Sequence, residues 1–206
     1  MAEPRLVLAT HNEHKVGELR AILLAPEVGL PLNGDQIVGA ASFGVPEPKE
    51  DGVTFAENAL IKARALAQAT GLVAIADDSG LAVDVLGGAP GIFSARWAGT
   101  HGNDRANLEL LLAQLSDIAP QHRAARFVCA AALVTPDGQE HVELGSLEGR
   151  LLFEPRGEGG FGYDPILQPI GEERSCAQLS AEEKNAISHR GNAFRLLAPH
   201  IKALFV

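Results

Sequence analysis

A short apolar run that ends in two adjacent carboxylates restricts the fold more than any other feature of this sequence. Residues 73–76 read Val-Ala-Ile-Ala, and Asp77, Asp78, Ser79 and Gly80 follow at once. Such a run is typical of a strand that is buried on both faces. Because side chains alternate along a strand, we expect Asp77 and Asp78 to point to opposite faces of a sheet. A carboxylate at a strand end is suited to hold a magnesium ion or an attacking water, although Asp-Ser-Gly is also an ordinary turn sequence.

Strands and helices alternate along most of the chain, and this order predicts an α/β fold with a mixed sheet. Apolar runs predict strands at residues 5–9, 37–41, 73–76, 81–86, 126–135, 139–146 and 151–154. Helical spacing and capping boxes predict helices at 12–25 and 54–70, a third that starts at 103 and a fourth that runs from 180 to the C-terminus. The strands around Pro136-Asp137-Gly138 are typical of a hairpin. We expect one domain over residues 1–206, with the hairpin crossing between lobes if there are two.

The composition argues against several classes of protein. A net charge of −9 over 206 residues disfavours general binding to nucleic acid, which needs a basic surface. No run of 18 apolar residues occurs, so we expect no membrane span and no membrane partner. Residues 1–5 lack the regions of a signal peptide, and the two cysteines, Cys129 and Cys176, have no metal-ligand spacing. These features predict a reducing, cytoplasmic setting.

A strand-to-helix junction near the N-terminus has the residues of an anion site. The junction consists of Thr10, His11, Asn12, Glu13, His14 and Lys15. Helix N-termini expose N–H groups and carry a partial positive charge, so they bind phosphate readily. Thr10 and Asn12 would add hydrogen bonds, and Lys15 would add a full charge. The alternative is that Asn12 only caps the helix and Lys15 is solvated.

A glycine-rich segment matches the G-x-G-x-x-G pattern of dinucleotide-binding proteins, but its context is different. The pattern lies at Gly157–Gly162 and requires a helix directly after it. Asp164-Pro165 disfavours a helix at this point. We therefore expect a flexible loop that presents Phe161 for stacking on a base and presents Asp164 beside it. The alternative is that Phe161 and Tyr163 fill a core beneath the loop.

Basic side chains occur in two further places. Lys184 and His189 are five residues apart, so both reach one ligand only if the helix ends or kinks near Ser188. Gly191 is compatible with such a break. Arg96 is an isolated cation after a loop of Gly and Pro. The alternative for each is a solvated basic surface.

Acidic residues before Gly52 complete the set of candidate binding residues. One of Glu47, Glu50 and Asp51 could join Asp78 in holding magnesium. A nucleoside triphosphate with magnesium is the ligand favoured by these features together: paired carboxylates, scattered cations, a helix start suited to an anion, and an aromatic side chain on a glycine loop. A serine hydrolase is disfavoured because no Gly-x-Ser-x-Gly motif is present. Zinc is disfavoured because the histidines lack ligand spacing.

A series of longer motifs follows a known order along the chain. The motifs are Thr10-His11-Asn12 with Lys15, Thr54-Phe55 with Asn58-Ala59 and Lys62-Ala63, Ala76–Leu81, Gly87-Gly88 with Pro90-Gly91 and Ser94-Ala95-Arg96, Gly159–Pro165, and Glu183–Gly191. This series resembles the inosine triphosphate pyrophosphatase family, also called the non-standard purine nucleoside triphosphate pyrophosphatases. The resemblance covers the chain from about residue 6 to the C-terminus.

The resemblance implies a fold and a reaction. The fold is an elongated mixed β-sheet flanked by helices, with two lobes and the active site in a cleft between them, and the assembly is usually a homodimer. The reaction hydrolyses ITP, dITP or XTP to the monophosphate and pyrophosphate with Mg²⁺. It removes deaminated purines from the nucleotide pool.

The resemblance also assigns roles to individual residues. Asp78 corresponds to the general base and a metal ligand, with Asp77 supporting it, and Glu50 or Glu47 corresponds to a second magnesium ligand. The implied substrate contacts are Thr10, His11, Asn12, Glu13, His14, Lys15, Ser79, Arg96, Phe161, Gly162, Tyr163, Asp164, Lys184, His189 and Arg190. His11 departs from the glycine or asparagine that is common at its position.

The mechanism expected on this basis is in-line attack of water on the α-phosphorus, with Asp78 orienting or deprotonating the water. Lys15 and Lys184 would stabilise charge on the leaving pyrophosphate. Donors from His189 and Arg190 would pair with the 6-oxo group of inosine or xanthine and mismatch adenine. Two alternatives are a septum-inhibitor-like pyrophosphatase that acts on modified pyrimidine triphosphates and a nucleotide-binding regulator without turnover.

Overall fold

The computed structural model describes residues 3–10 and 13–205. Within this part of the chain, the strands form a six-stranded sheet in the order β2-β1-β3-β4-β5-β6. The strands are β1 (Leu6–Leu8), β2 (Ile37–Gly39), β3 (Val73–Val83), β4 (Ala124–Val134), β5 (Glu140–Leu151) and β6 (Leu167–Pro169). The α-helices are α1 (Glu13–Leu23), α2 (Phe55–Thr70), α3 (Asp104–Gln114), α4 (Ala181–Ile187) and α5 (His189–Ala203), and short 3₁₀ turns lie between them.

The sheet contains both parallel and antiparallel pairs. Strand β1 pairs in parallel with β2 and with β3, and β5 pairs antiparallel with β6. The parallel connections pass through α1 and α2, as a parallel pair requires. The predicted α/β class with a mixed sheet is therefore confirmed.

The chain divides into two compact units. Unit 1 comprises Met1–Asp78, Cys129–Gly145 and Arg190–Val206, and unit 2 comprises Ser79–Val128 and Ser146–His189. Both faces of the sheet are covered in unit 1: α1 and α5 pack on one face and α2 on the other. Unit 2 has its own core, in which α3 packs on the adjoining parts of the strands. Each unit thus buries an apolar interior of its own.

Capping residues set the ends of α2 as predicted from the sequence. The Thr54 hydroxyl oxygen accepts a hydrogen bond from the Glu57 N–H at 3.1 Å. At the other end, Gly71 has φ of 68°, which suits a glycine that closes a helix. Between the caps, small residues such as Ala59 and Ala63 let the helix lie close to the sheet.

The prediction that a strand ends at the two carboxylates is wrong. Strand β3 runs without a break through Asp77 and Asp78 to Val83. The long strand β4 lies beside it and provides backbone partners that outweigh the turn preference of Asp-Ser-Gly. Gly80 allows a close approach within the strand, because a Cβ there would lie 2.4 Å from the Ser94 Oγ. Two predicted strands are therefore one.

Two other predicted boundaries differ from the structure. Leu151 ends β5, so residues 151–154 add no strand, and the last strand is β6, which was not predicted. Three residues that include a proline are too short to show a strand period. The single helix predicted from residue 180 to the C-terminus is instead two helices, α4 and α5, because the chain breaks at Ser188, which has ψ of 147°. This break meets the condition under which Lys184 and His189 could reach one ligand. Gly191 lies inside α5 and does not cause the break.

Candidate active site

The two adjacent carboxylates of β3 have different neighbours. Asp78 accepts a hydrogen bond from Asn58 on α2, and Asp77 accepts one from Arg190 on α5. Because α2 and α5 cover opposite faces of the sheet, the two side chains point to opposite faces, as predicted.

Residues one turn apart on α2 hold Asp78. The Asn58 Nδ2 donates to the Asp78 Oδ2 at 3.1 Å, and the Lys62 Nζ lies 3.8 Å from the Asp78 Oδ1. The same Lys62 Nζ is 3.1 Å from the Glu50 Oε1. Asp78 and Glu50 therefore face one ammonium group. The Asp78 side chain is 16% exposed, so it is within reach of solvent.

The environment raises the pKa of the Asp78 carboxyl. Burial is the largest cause, and the negative charges of Glu50 and Asp77 act in the same direction. Lys62 and the Asn58 hydrogen bond oppose the rise without cancelling it. A carboxylate with a raised pKa is a stronger proton acceptor, which is what a general base needs.

Asp77 belongs to a buried ion-pair network. The Arg190 Nε donates to the Asp77 Oδ2 at 3.0 Å, and the Arg190 Nη1 lies 3.2 Å from the Glu18 carboxylate of α1. Burial alone would raise the Asp77 pKa, but the charges of Arg190, Lys15 and Lys62 outweigh it and lower the pKa. Asp77 is thus held in its ionised form by a buried contact that links β3 to α5 and, through Arg190, to α1.

The acidic pair suits a magnesium ion that also binds phosphate. Among the described residues, no group of three or more His, Cys, Asp or Glu side chains is arranged to hold a metal. Magnesium typically takes one or two carboxylates together with substrate phosphates and waters. Asp78 and Glu50, which share Lys62, fit that donor set. Glu47 instead lines a small pocket beside Lys62.

The predicted phosphate-binding junction is described in part. Thr10 follows β1, and α1 begins at Glu13. The Lys15 charge contributes to lowering the Asp77 pKa, so Lys15 lies in the same region of unit 1. His11 and Asn12 lie outside the described residues, and so do the side chains of Glu13 and His14.

In unit 2, the glycine-rich loop presents one aromatic ring and one ammonium group. Phe161 is 59% exposed, and the Lys184 Nζ of α4 lies 5.0 Å from its ring centroid. The Lys184 Nζ also lies 2.5 Å from the Asp164 Oδ2, which accepts the Phe161 N–H at 2.8 Å. Asp164 therefore holds both the loop and the lysine.

The loop is anchored, whereas the sequence predicted a flexible loop that presents Asp164. The Gly159 N–H donates to the Ala177 carbonyl at 3.1 Å, and the Gly162 N–H donates to the Asp104 carboxylate at 2.9 Å. Asp164 is buried and occupied by these internal contacts, and it is not presented at the surface. A Cβ at Gly160 would lie 2.1 Å from the Asp164 Oδ2, which explains the glycine.

The other predicted contacts of unit 2 differ in accessibility. Tyr163 is buried, and its hydroxyl donates to the Ser94 carbonyl at 2.9 Å, so its side chain serves packing. Of the two residues in the core-filling alternative, only Tyr163 fills a core.

The buried His189 ring stacks on Phe127 with centroids 5.0 Å apart. The Arg96 guanidinium lies 5.3 Å from the Phe93 ring centroid, at the end of a 3₁₀ turn. Ser79 follows Asp78 within β3.

Sequence reasoning did not assign a role to Asn58 or Lys62. Both contact Asp78, and they are four residues apart on α2. The signal was present, because residues at i and i+4 share a helix face and this pair stands out as polar on a buried stripe of alanine.

Comparison with known proteins identifies the family of this chain. The sequence profile of the Ham1 family matches residues 6–200. The chain belongs to the Ham1 family. This membership confirms the resemblance that the motifs indicated.

Members of the Ham1 family share both sequence and fold with this chain. A relative from Streptomyces coelicolor, named dITP/XTP pyrophosphatase, is 65% identical and covers 97% of this chain and 98% of its own length. The structure of a HAM1 protein from Coxiella burnetii has a TM-score of 0.86 at 39% identity, covering 97% of this chain and 99% of its own. A dITP/XTP pyrophosphatase from Mycobacterium abscessus has a TM-score of 0.76 at 48% identity, covering 95% and 99%.

In the part of the chain that the structure describes, no helix is long and apolar enough to cross a bilayer.

Proposed function

We propose that this Ham1 family member hydrolyses the non-standard purine nucleoside triphosphates ITP, dITP and XTP to the monophosphate and pyrophosphate. The 65% identity over 97% of the chain to a relative named dITP/XTP pyrophosphatase carries this proposal. The chemistry of unit 1 supports it, because the chain has a carboxylate of raised pKa beside a second carboxylate and a lysine. The proposed reaction removes deaminated purine triphosphates from the nucleotide pool.

Asp78 is the proposed general base. It orients a water molecule for in-line attack on the α-phosphorus and accepts its proton. Lys15 and Lys184 are the proposed partners of the pyrophosphate oxygens, where negative charge grows as the bond breaks. Asp77 stays paired with Arg190 and keeps β3 in place. When bound by Asp78 and Glu50, Mg²⁺ supplies charge neutralisation at the phosphates.

Recognition of the base is assigned to unit 2. The exposed ring of Phe161 offers a stacking surface, and backbone groups of Gly162, Tyr163 and Asp164 line the same loop. His189 is the proposed donor to the 6-oxo group. Two nitrogens of Arg190 already donate to Asp77 and Glu18, so Arg190 acts first as a brace.

Several finer features belong to the proposal, some from the resemblance and others from the charge, hydropathy and cysteine content of the sequence. They are one domain over residues 1–206 with two lobes, a substrate that contacts residues of both units, a homodimer, a cytoplasmic location and no nucleic-acid or membrane partner. The remaining proposed contacts are Thr10, His11, Asn12, Glu13, His14, Ser79 and Arg96. Light scattering tests the homodimer directly, since a monomeric mass would contradict it.

A pyrophosphate-release assay tests the function. We expect release with Mg²⁺ from ITP, dITP and XTP, little from GTP or ATP, and none after removal of Mg²⁺ with EDTA. Turnover of dUTP in preference to ITP would favour the pyrimidine-directed alternative. Binding without release from any substrate would favour the regulator. The variant His189→Gln tests recognition of the base, because an unchanged ratio of ITP to ATP turnover would contradict the assigned donor.

A further inference from the structure

The Asn58 side chain connects Asp78 to the loop that carries Glu50. Its Oδ1 accepts a hydrogen bond from the Gly52 N–H at 2.9 Å, and its Nδ2 donates to the Asp78 Oδ2 at 3.1 Å. Asn58 is 2% exposed. One partner is a donor and the other an acceptor, so only one orientation of the amide satisfies both. The group is therefore fixed in position and in direction.

Asn58 is part of a wider attachment of this loop to the start of α2. The Val53 N–H donates to the Glu57 Oε2 at 2.6 Å, one residue after the Gly52 contact. A Cβ at Gly52 would lie 2.7 Å from the Asn58 Oδ1, so the loop approaches the amide as closely as a glycine permits. Glu50 precedes this attachment by two residues. Its place is therefore set by α2.

The carboxylate of Asp78 receives one contact from α2 at each oxygen. Asn58 contacts Oδ2, and Lys62 lies nearer to Oδ1, where it also contacts Glu50. Loss of the Asn58 donor would leave Oδ2 without this hydrogen bond and let the carboxylate turn toward the Lys62 ammonium. Even a small rotation of the Asp78 carboxylate would move its oxygen out of line with the attacking water.

We propose that Asn58 is a positioning residue, which fixes the direction of the Asp78 carboxylate and holds the Glu50 loop in register with it. The inference rests on the proposed function, because it assumes that Asp78 is the base. Asn58 itself touches neither water nor phosphate in this assignment. Partners of this kind, which orient a catalytic or ligating group, typically contribute about 10–100-fold to activity.

Two variants separate the two contacts of Asn58. Asn58→Ala removes both hydrogen bonds. Asn58→Asp keeps the size of the side chain and an acceptor for the Gly52 N–H, but it replaces the donor to Asp78 with a negatively charged oxygen that repels the Asp78 carboxylate. Asn107→Ala is the matched control, because Asn107 is equally buried on α3 and its Oδ1 accepts the Ala98 N–H at 2.7 Å.

The readouts are kcat and KM for ITP, the melting temperature, and hydrogen–deuterium exchange of residues 47–53. We expect both Asn58 variants to lose roughly 10–100-fold in kcat with KM within about threefold. Exchange at residues 47–53 rises in Asn58→Ala and rises less in Asn58→Asp. Asn107→Ala lowers the melting temperature while kcat stays within about twofold.

The outcomes distinguish the inference from the function on which it rests. If the unmodified protein releases no pyrophosphate, the proposed function fails, and the exchange measurement still tests the loop attachment. If the unmodified protein is active and either folded Asn58 variant keeps full kcat, the positioning role is wrong. If Asn107→Ala loses as much kcat as Asn58→Ala, the loss reflects stability, and the positioning role is also wrong.

Discussion

Two glycines of the same loop provide a matched pair for testing how the Phe161 platform is held. Gly160 and Gly162 both have positive φ, 72° and 60°. A Cβ at Gly162 would meet nothing within 4 Å, whereas a Cβ at Gly160 would lie 2.1 Å from the Asp164 Oδ2. Alanine at either position meets the same backbone strain, but only at Gly160 does it displace Asp164.

The expected magnitudes follow from this difference. Left-handed backbone at a non-glycine residue costs about 1–2 kcal/mol, so Gly162→Ala should lower the free energy of unfolding by about that amount. Gly160→Ala must also move Asp164 by about 1 Å, which breaks its contacts with the Phe161 N–H and the Lys184 ammonium. Breaking a buried pair costs about 3–5 kcal/mol, and the lower value applies because the Lys184 side chain is 17% exposed. The expected loss for Gly160→Ala is therefore roughly 4–5 kcal/mol.

Urea unfolding of the two variants measures the difference, and KM for ITP reports on the platform. We expect Gly160→Ala to be less stable than Gly162→Ala by about 3 kcal/mol. Its KM should also rise, because Lys184 and Phe161 lose their common anchor. Equal losses of stability in the two variants would refute the assignment of Asp164 as the residue that holds the loop.

Three further predictions concern single side chains. Asp78→Asn should lower kcat by about 10²–10⁴-fold, since the general base is lost while its size is kept; near-normal turnover would remove Asp78 from the mechanism. Phe161→Ala should weaken nucleotide binding by about 1–3 kcal/mol in a titration with ITP, and unchanged affinity would contradict stacking. The lowered Asp77 pKa implies stability that is fully present above the unfolded pKa of about 3.9 and is lost as pH falls through the lower folded value. Unfolding measured between pH 5 and pH 2 should therefore show a smaller decline in Asp77→Asn than in the unmodified protein.

Much of the fold followed from local patterns. The caps of α2 and the opposite directions of Asp77 and Asp78 depend on backbone geometry within a few residues, and these predictions were confirmed. The uninterrupted course of β3 was missed, because it depends on β4, a strand that is distant in the sequence. Turn preference is a local property, and pairing in a sheet overrides it.

For the candidate site, too, local sequence predicted some features and missed those that depend on distant contacts. Residue type and motif order identified Asp78, Phe161 and Lys184 as candidates, but they did not show which polar groups face inward. Asp164 was expected at the surface, and the structure shows it buried against Lys184 and the Phe161 N–H. Asn58 received no role because its spacing with Lys62 was not weighed, and its two partners in the structure show what it does.

The placement of α5 in unit 1 has a consequence for synthesis of the chain. Phe194, Leu197 and Ile201 of α5 are fully buried against β1, β3 and α1, and Arg190 joins Glu18 to Asp77. Every residue of unit 2 except His189, which is the first residue of α5, precedes this helix in the sequence. During synthesis, unit 2 can therefore begin to form its hydrophobic core before unit 1 does. The apolar strands of unit 1 stay exposed until α5 emerges from the ribosome.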